Sequence, residues 1–245
     1  TGSGKSTFMN GLIYTALFKC PEQVGFVFID TKFTEFAMYR NLPHCWAYIN
    51  DIDKVPEALD ACLATVRDNA RRAQILGNRT SNDPDLYIFI DELGDVLYSN
   101  PQSLKTLSRI AMLGRASNVH IIAGTQNPNR KTLSPELISN CPCRVALHCN
   151  DKVESRQIIG CDFATELPQV GYCLYTMPGF DAPELMPVTL YPDEELRQLV
   201  NWWENQDKIH KANPVDYLER YRDPLRDDEP EEKPKHGILK RLFKK

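Results

Sequence analysis

Three groups of residues in this 245-residue chain have the types and spacing to act on a phosphate. The first is TGSGKST (1–7), which matches the end of the phosphate-binding pattern G-x-x-x-x-G-K-[ST]. The first glycine of that pattern would fall before Thr1. In such a loop Gly2 and Gly4 let the backbone curl until its N–H groups point at phosphate oxygens. Lys5 supplies a cation to the β- and γ-phosphates, and Ser6 a hydroxyl to Mg²⁺. Thr1, Ser3 and Thr7 complete the nucleotide-binding set. Taken alone, the stretch also reads as a glycine-rich turn capping a helix through Ser3 or Ser6.

The second group narrows that choice. Tyr87 to Ile90 run without interruption into Asp91-Glu92. A buried strand ending in two carboxylates is costly unless they meet a metal ion or water. Beside a phosphate loop, Asp91 is placed to hold Mg²⁺, and Glu92 to polarise an attacking water as general base. The pair could otherwise cap the following helix. The third group is Thr125-Gln126, at the end of another apolar run. Side chains there, Gln126 above all, can contact a γ-phosphate and report its loss. The three groups together point to nucleotide hydrolysis that drives a motor rather than to passive nucleotide binding.

These residues need a particular scaffold. VGFVFID (24–30) and LYIFIDE (86–92) are continuous apolar runs, the pattern of strands buried on both faces. CWAYIN (45–50) and NVHIIAGTQ (118–126) are further strands. CRVALHC (143–149) and GYCLYT (171–176) are expected to complete a mostly parallel sheet, with MPVTLY (186–191) as an edge. Residues 6–19 read as a helix with Phe8, Leu12, Tyr14 and Leu17 apolar. Residues 53–77 read as a long helix with Pro56 in its first turn and Gly77 past its end. A last amphipathic helix, about 192–206, carries Trp202 and Trp203. The alternation is α/β, with flanking helices and right-handed crossovers. The motor domain is expected over 1–206. Residues 207–245, charged and containing proline, are expected to be a largely disordered tail ending in the basic ILKRLFKK.

Composition sets the outer bounds. A net charge of -4 argues against a surface coated for nucleic acid, yet allows a small basic region that becomes effective when several subunits converge. Eight cysteines, several within apolar strand-like runs, fit reduced thiols in the cytoplasm better than a disulfide framework. No apolar run approaches the length of a membrane span. Cys141, Cys143, His148, Cys149 and Cys161 invite a zinc reading, but the C-P-C spacing is poor for a zinc knuckle.

Several motifs in register resemble the motor domain of the FtsK/SpoIIIE family of DNA translocases. They are TGSGKS (1–6), IDTKFTEFAMYRNLPH (29–44), IDELGDVL (90–97), GRASNVHIIAGTQNP (114–128) and NDKVESRQIIG (150–160), and the resemblance covers roughly residues 1 to 205. It implies a RecA-like P-loop ATPase subunit in a ring, usually hexameric, that hydrolyses ATP with Mg²⁺ and pulls double-stranded DNA through its pore. ATP in such rings sits between subunits, which makes Arg115 the first choice for a trans-acting arginine finger. Arg144, Lys152 and Arg156 are further choices. Pore contacts are expected from Arg130 and Lys131 in NPNRKTLSPE, and from Arg79 in GNRTSND. Each of these cations could instead be an ordinary surface charge.

Two positions depart from the family pattern: Thr31 stands for a proline, and Asn127 for an arginine. Nothing after the last helix resembles the winged-helix module of segregation translocases. Both points favour transfer of a mobile element, in conjugative, phage or plasmid DNA movement, over chromosome segregation. A type VII secretion-like ATPase acting on proteins is the alternative. A membrane anchor upstream of Thr1 is compatible with either reading. Because the strand that normally feeds the phosphate loop is expected to precede Thr1, the chain as given is expected to fold poorly and hydrolyse little ATP.

Overall fold

The computed structural model describes residues 2, 4–129 and 132–206. The expected tail at 207–245 lies outside them, as do Thr1, Ser3, Arg130 and Lys131. Two sheets are present. The larger contains β1 (Val24–Ile29), β2 (Cys45–Ile49), β3 (Asp85–Ile90) and β4 (Val119–Ala123) in the order β2-β1-β3-β4, all parallel. Its helices are α1 (Lys5–Ala16), α2 (Val55–Ile75), α3 (Leu93–Ser99) and α4 (Ser103–Ser117). Then follow α5 (Pro135–Asn140), β5 (Arg144–Ala146), α6 (Lys152–Ile159), β6 (Tyr172–Thr176), β7 (Glu184–Pro187) and α7 (Asp193–Glu204).

Alternation along the central strands sorts the core into two layers. Val27 and Ile29 of β1, with Leu86, Ile88 and Ile90 of β3, face one way, against Leu59, Cys62 and Val66 of α2 and Leu107 and Ile110 of α4. Val24, Phe26 and Phe28, with Phe89, face the other way, against Met9, Ile13 and Leu17 of α1 and Val200 and Trp203 of α7. One layer is mainly aliphatic and the other mainly aromatic: Phe28 stacks on Phe89 and on Tyr39. Period-two side chains buried on both faces are what a parallel sheet between helices requires.

One expectation is corrected. β5 and β6 do not extend the parallel sheet; with β7 they form a separate antiparallel sheet in the order β5-β6-β7. Strands of three to five residues can satisfy their backbone groups in a local meander, and nothing in an apolar run specifies which sheet it joins. Among the described residues, no strand pairs with the outer edge of β4, and Ile121 and Ile122 there are only half-buried. The buried face of α1 is Met9 and Ile13 with the C-cap residue Leu17, at i, i+4 and i+8, while Phe8 and Tyr14 are half-buried and Leu12 is exposed.

Candidate functional site

The phosphate-loop residues that the structure describes open α1. Gly4 is the N-cap residue at φ 94°, and Gly2 has φ 91°, left-handed values that glycine adopts without strain. The first turn of α1 carries no acidic side chain, so the free N–H groups at its start are available to an anion. Ser6 and Thr7 follow Lys5 in that turn and are half-buried.

Lys5 turns back over the ends of the strands. Its Nζ donates to the Asp91 carbonyl oxygen at 2.7 Å and to the Asp91 carboxylate, with which it forms an ion pair. Asp91 follows β3 and is 2 % exposed. Its backbone N–H donates to the Ile29 carbonyl at 3.1 Å, which ties this corner to the end of β1.

Glu92 is 5 % exposed and fully engaged. Its Oε1 accepts from the Thr125 hydroxyl at 2.7 Å and from the Gly94 N–H at 3.3 Å, and its Oε2 accepts from the Gln126 N–H at 2.9 Å. The Gly94 bond makes Glu92 the N-cap of α3, so the capping role coexists with its place in the cluster. Thr125-Gln126 thus joins the acidic pair through Glu92. The Gln126 side chain is exposed.

Two residues that the motif reading left out of the site, Gly124 and Lys32, belong beside it. Gly124, just past β4, packs so closely that a Cβ there would lie 2.8 Å from Lys5 Cδ and 2.9 Å from the Asp91 carbonyl oxygen. Thr125 is the direct partner of Glu92. Lys32, in the loop after β1, pairs with Asp95 at 3.2 Å. Burial would lower the Lys32 pKa, but Asp95, with Glu92 and Asp91 beyond it, outweighs burial and raises it. The lysine lying two residues after Asp30 at a strand end was the signal for Lys32. Asp30 itself is fully buried and organises that loop, accepting N–H bonds from Thr34, Glu35 and Phe36 and a hydroxyl bond from Tyr48.

The remaining cations lie elsewhere. Arg115, exposed in the last turn of α4, sits where the chain enters β4, at the opposite end of the sheet from Lys5 and Glu92. Five residues of strand separate the two ends, about 17 Å at a strand's rise. Exposed Arg79 is at that same far end: its loop bonds to α4 through the Ser81 N–H and the Ala116 carbonyl, 2.8 Å. Arg156 and Lys152 of α6 both pair with Asp162 of their own chain. Arg144 lies on β5, with its Nε buried and unbonded among the described residues. Arg130 and Lys131 fall outside the described residues.

No cluster of metal-ligating side chains occurs among the described residues, and none of the eight cysteines there forms a disulfide. Burial pushes the Cys149 thiol up to about 11, with Glu154 and Asp151 adding to it. A thiol held protonated in this way is a poor zinc ligand. No described helix is long and apolar enough to cross a membrane.

Comparison with known proteins agrees with this geometry. The FtsK/SpoIIIE family model matches residues 1–83. The chain is 29% identical over 254 residues to DNA translocase FtsK 1 of Neisseria meningitidis, covering 89% of this chain and 30% of that protein. It is 29% identical over 243 residues to DNA translocase FtsK of Helicobacter pylori, covering 92% of this chain and 28% of that protein. The chain therefore spans about 30% of the length of these curated relatives. Among solved structures, the pCW3 conjugation coupling protein TcpA, in monomer form with ATPgS, superposes with a TM-score of 0.70 at 18% identity. That match covers 82% of this chain and 62% of TcpA. The cytoplasmic domain of the Thermomonospora curvata type VII secretion ATPase EccC also gives 0.70, at 22% identity, covering 84% of this chain and 27% of that one. The fold is thus the one these ATPases share. The family match begins at the phosphate loop, and the similarity to these curated DNA translocases continues through the acidic pair and beyond.

Proposed function

We propose that this domain is the ATP-hydrolysing motor of a double-stranded DNA translocase that serves DNA transfer or segregation, with transfer of a mobile element the favoured setting. The observation that carries the reading is the meeting of Lys5, Asp91 and Glu92 at the end of the parallel sheet, with Thr125-Gln126 bonded to the same glutamate. ATP would lay its phosphates over the start of α1, and Lys5 would exchange Asp91 for the β- and γ-phosphates. Ser6 and Asp91, a hydroxyl and a carboxylate, form an all-oxygen donor set that suits Mg²⁺. That ion, when bound, offsets charge on the phosphates. Glu92 is positioned to take a proton from the attacking water, and Gln126 to sense the γ-phosphate.

Arg115 lies too far from its own site to act there, which suits a contribution to a neighbouring subunit's ATP in a ring such as a hexamer. Arg130 and Lys131, with Arg79, are the proposed DNA contacts. A cytoplasmic setting, and a membrane anchor elsewhere in the parent protein, are compatible with this reading. The test is ATP turnover by the full-length protein with and without double-stranded DNA at low salt. Several-fold stimulation by DNA is expected, with Glu92→Gln retaining ATP binding and losing turnover. An ATPase indifferent to DNA but responsive to a secreted protein would move the reading to the type VII class.

A further inference from the structure

The turn that follows β1 keeps a conformation that its residues would not adopt alone. Phe33 holds a left-handed φ of 61°, which a bulky residue takes only where its surroundings impose it. Here fully buried Asp30 imposes it, by accepting N–H bonds from Thr34, Glu35 and Phe36 at 3.2, 3.2 and 3.0 Å. The Phe33 side chain is 61 % exposed, so burial of its ring does not offset the strain. What the turn fixes is the base of Lys32. The Lys32 Nζ lies 3.2 Å from Asp95 Oδ2, in the first turn of α3 and three residues past Glu92. The Asp91 N–H, bonded to the Ile29 carbonyl, ties the acidic pair to the same end of β1. Burial works to lower the Lys32 pKa, but Asp95, with Glu92 and Asp91, raises it, so the ammonium stays charged.

Lys5 and Lys32 therefore approach the same carboxylates from two elements, and they are held differently. Lys5 bonds to both the carbonyl and the carboxylate of Asp91, and its side chain is 14 % exposed. The Lys32 and Asp95 side chains are 45 % and 47 % exposed. An ion pair so open to water contributes little, and the lysine can leave it at small cost. A phosphoryl group in transfer spreads charge over its three equatorial oxygens, and cations aimed there stabilise the transition state. We propose that Lys32 is a catalytic residue, which leaves Asp95 to contact the γ-phosphate of ATP bound in its own subunit. Asp95 holds the cation at hand before the nucleotide arrives. This deepens the ATPase reading above and rests on it. It adds a cation in cis to the one that Arg115 would supply from a neighbour, and it separates ATP from ADP, which has no phosphate for Lys32 to meet.

The test measures the affinity of the full-length protein for ATPγS and for ADP, each with Mg²⁺. Lys32→Met keeps an unbranched stem and removes the charge. It is expected to weaken ATPγS about tenfold, the order that a charge-assisted hydrogen bond carries, and to leave ADP within about twofold. Its kcat at saturating ATP should fall by a similar factor. Asp95→Asn breaks the same ion pair but keeps the lysine, and is expected to bind ATPγS as tightly as the wild type or more tightly. A pair that only braced α3 would give the opposite pattern, with both variants losing thermal midpoint and both nucleotides alike. Lys32→Gln repeats the measurement should the methionine variant aggregate. A Lys32 variant that prefers ATPγS over ADP as strongly as the wild type overturns the proposal. So does an Asp95→Asn variant that loses ATPγS as far as Lys32→Met. Wild-type protein that binds neither nucleotide overturns the ATPase reading itself, a result that the Lys32 variants cannot mimic.

Discussion

Lys5 reaches Asp91 only because residue 124 has no side chain. A Cβ at Gly124 would lie 2.8 Å from Lys5 Cδ, 2.8 Å from Met9 Cε and 2.9 Å from the Asp91 carbonyl oxygen. The two side chains can swing aside, but the carbonyl is held in the turn between β3 and α3. Gly124→Ala is therefore expected to cost about 1–3 kcal/mol, the usual range for overpacking a close contact. Lys5 would leave Asp91 as part of that adjustment. Thermal unfolding without nucleotide should show a lower midpoint than wild type, and ATP should recover part of the loss, because Lys5 then pairs with phosphate. An unchanged midpoint would mean that the corner opens at no cost. The motif made Lys5, Asp91 and Glu92 legible because each is charged and stands at a fixed place beside a glycine-rich turn or an apolar run. Gly124 was not legible as a site residue, and Thr125, legible at a strand tip, was not legible as the partner of Glu92. A small residue after a strand carries no signal until the opposing backbone is in place.

The elements were legible in proportion to how continuous their apolar runs are. VGFVFI and LYIFI became β1 and β3, because unbroken apolar strands are stable only between two covered faces. Direction and sheet membership of β5, β6 and β7 were not legible, since they depend on partners distant in sequence. The buried face of α1 was not legible, because Phe8, Leu12 and Tyr14 spread apolar character around the helix and only the sheet beneath selects Met9, Ile13 and Leu17. At the C-terminal end, α7 is fixed by Trp203, whose Nε1 donates to the Leu17 carbonyl at 2.9 Å and whose ring meets His44 edge-on at 4.6 Å. His44 is fully buried, with Nε2 2.9 Å from the Lys19 carbonyl oxygen. Burial lowers its pKa below the ordinary 6.5, against a smaller opposite pull from Lys19. The unfolded chain therefore binds a proton that the folded chain refuses. Stability is full above about pH 6.5 and falls as the pH drops from there toward the folded value. Urea midpoints between pH 7.5 and 5.5 should decline in the wild type and stay flatter in His44→Gln. Asp85, which His120 and Lys19 hold low against burial, titrates below its ordinary 3.8 and does not enter that window.

At the scale of the whole molecule, charge is the quantity that decides between substrates. The chain carries 29 Lys and Arg against 33 Asp and Glu, so its average field repels a polyanion. Double-stranded DNA could be held only by cations concentrated at one place, which in a ring means a loop presented once per subunit around the axis. The loop that begins at Thr125 is the one tied to Glu92, and Arg130-Lys131 is its basic step. Each phosphate that such a cation neutralises contributes about 0.9 to the slope of log affinity against log salt concentration. Replacing Arg130 and Lys131 with alanine should weaken DNA binding across all sequences alike and lower that slope by about 2 for every subunit engaged. ATP binding should be left in place, because the nucleotide site proposed above rests on the Lys5–Asp91 corner. Arg79 enters from the opposite end of the sheet, so Arg79→Ala separates two geometries. If the DNA path runs the length of the subunit, the slope falls again by about 1; if it touches only the Glu92 end, the slope stays where the loop variant left it. A slope indifferent to all three substitutions would mean that DNA, if bound, is held by another surface, and that hydrolysis at Glu92 answers to a different ligand.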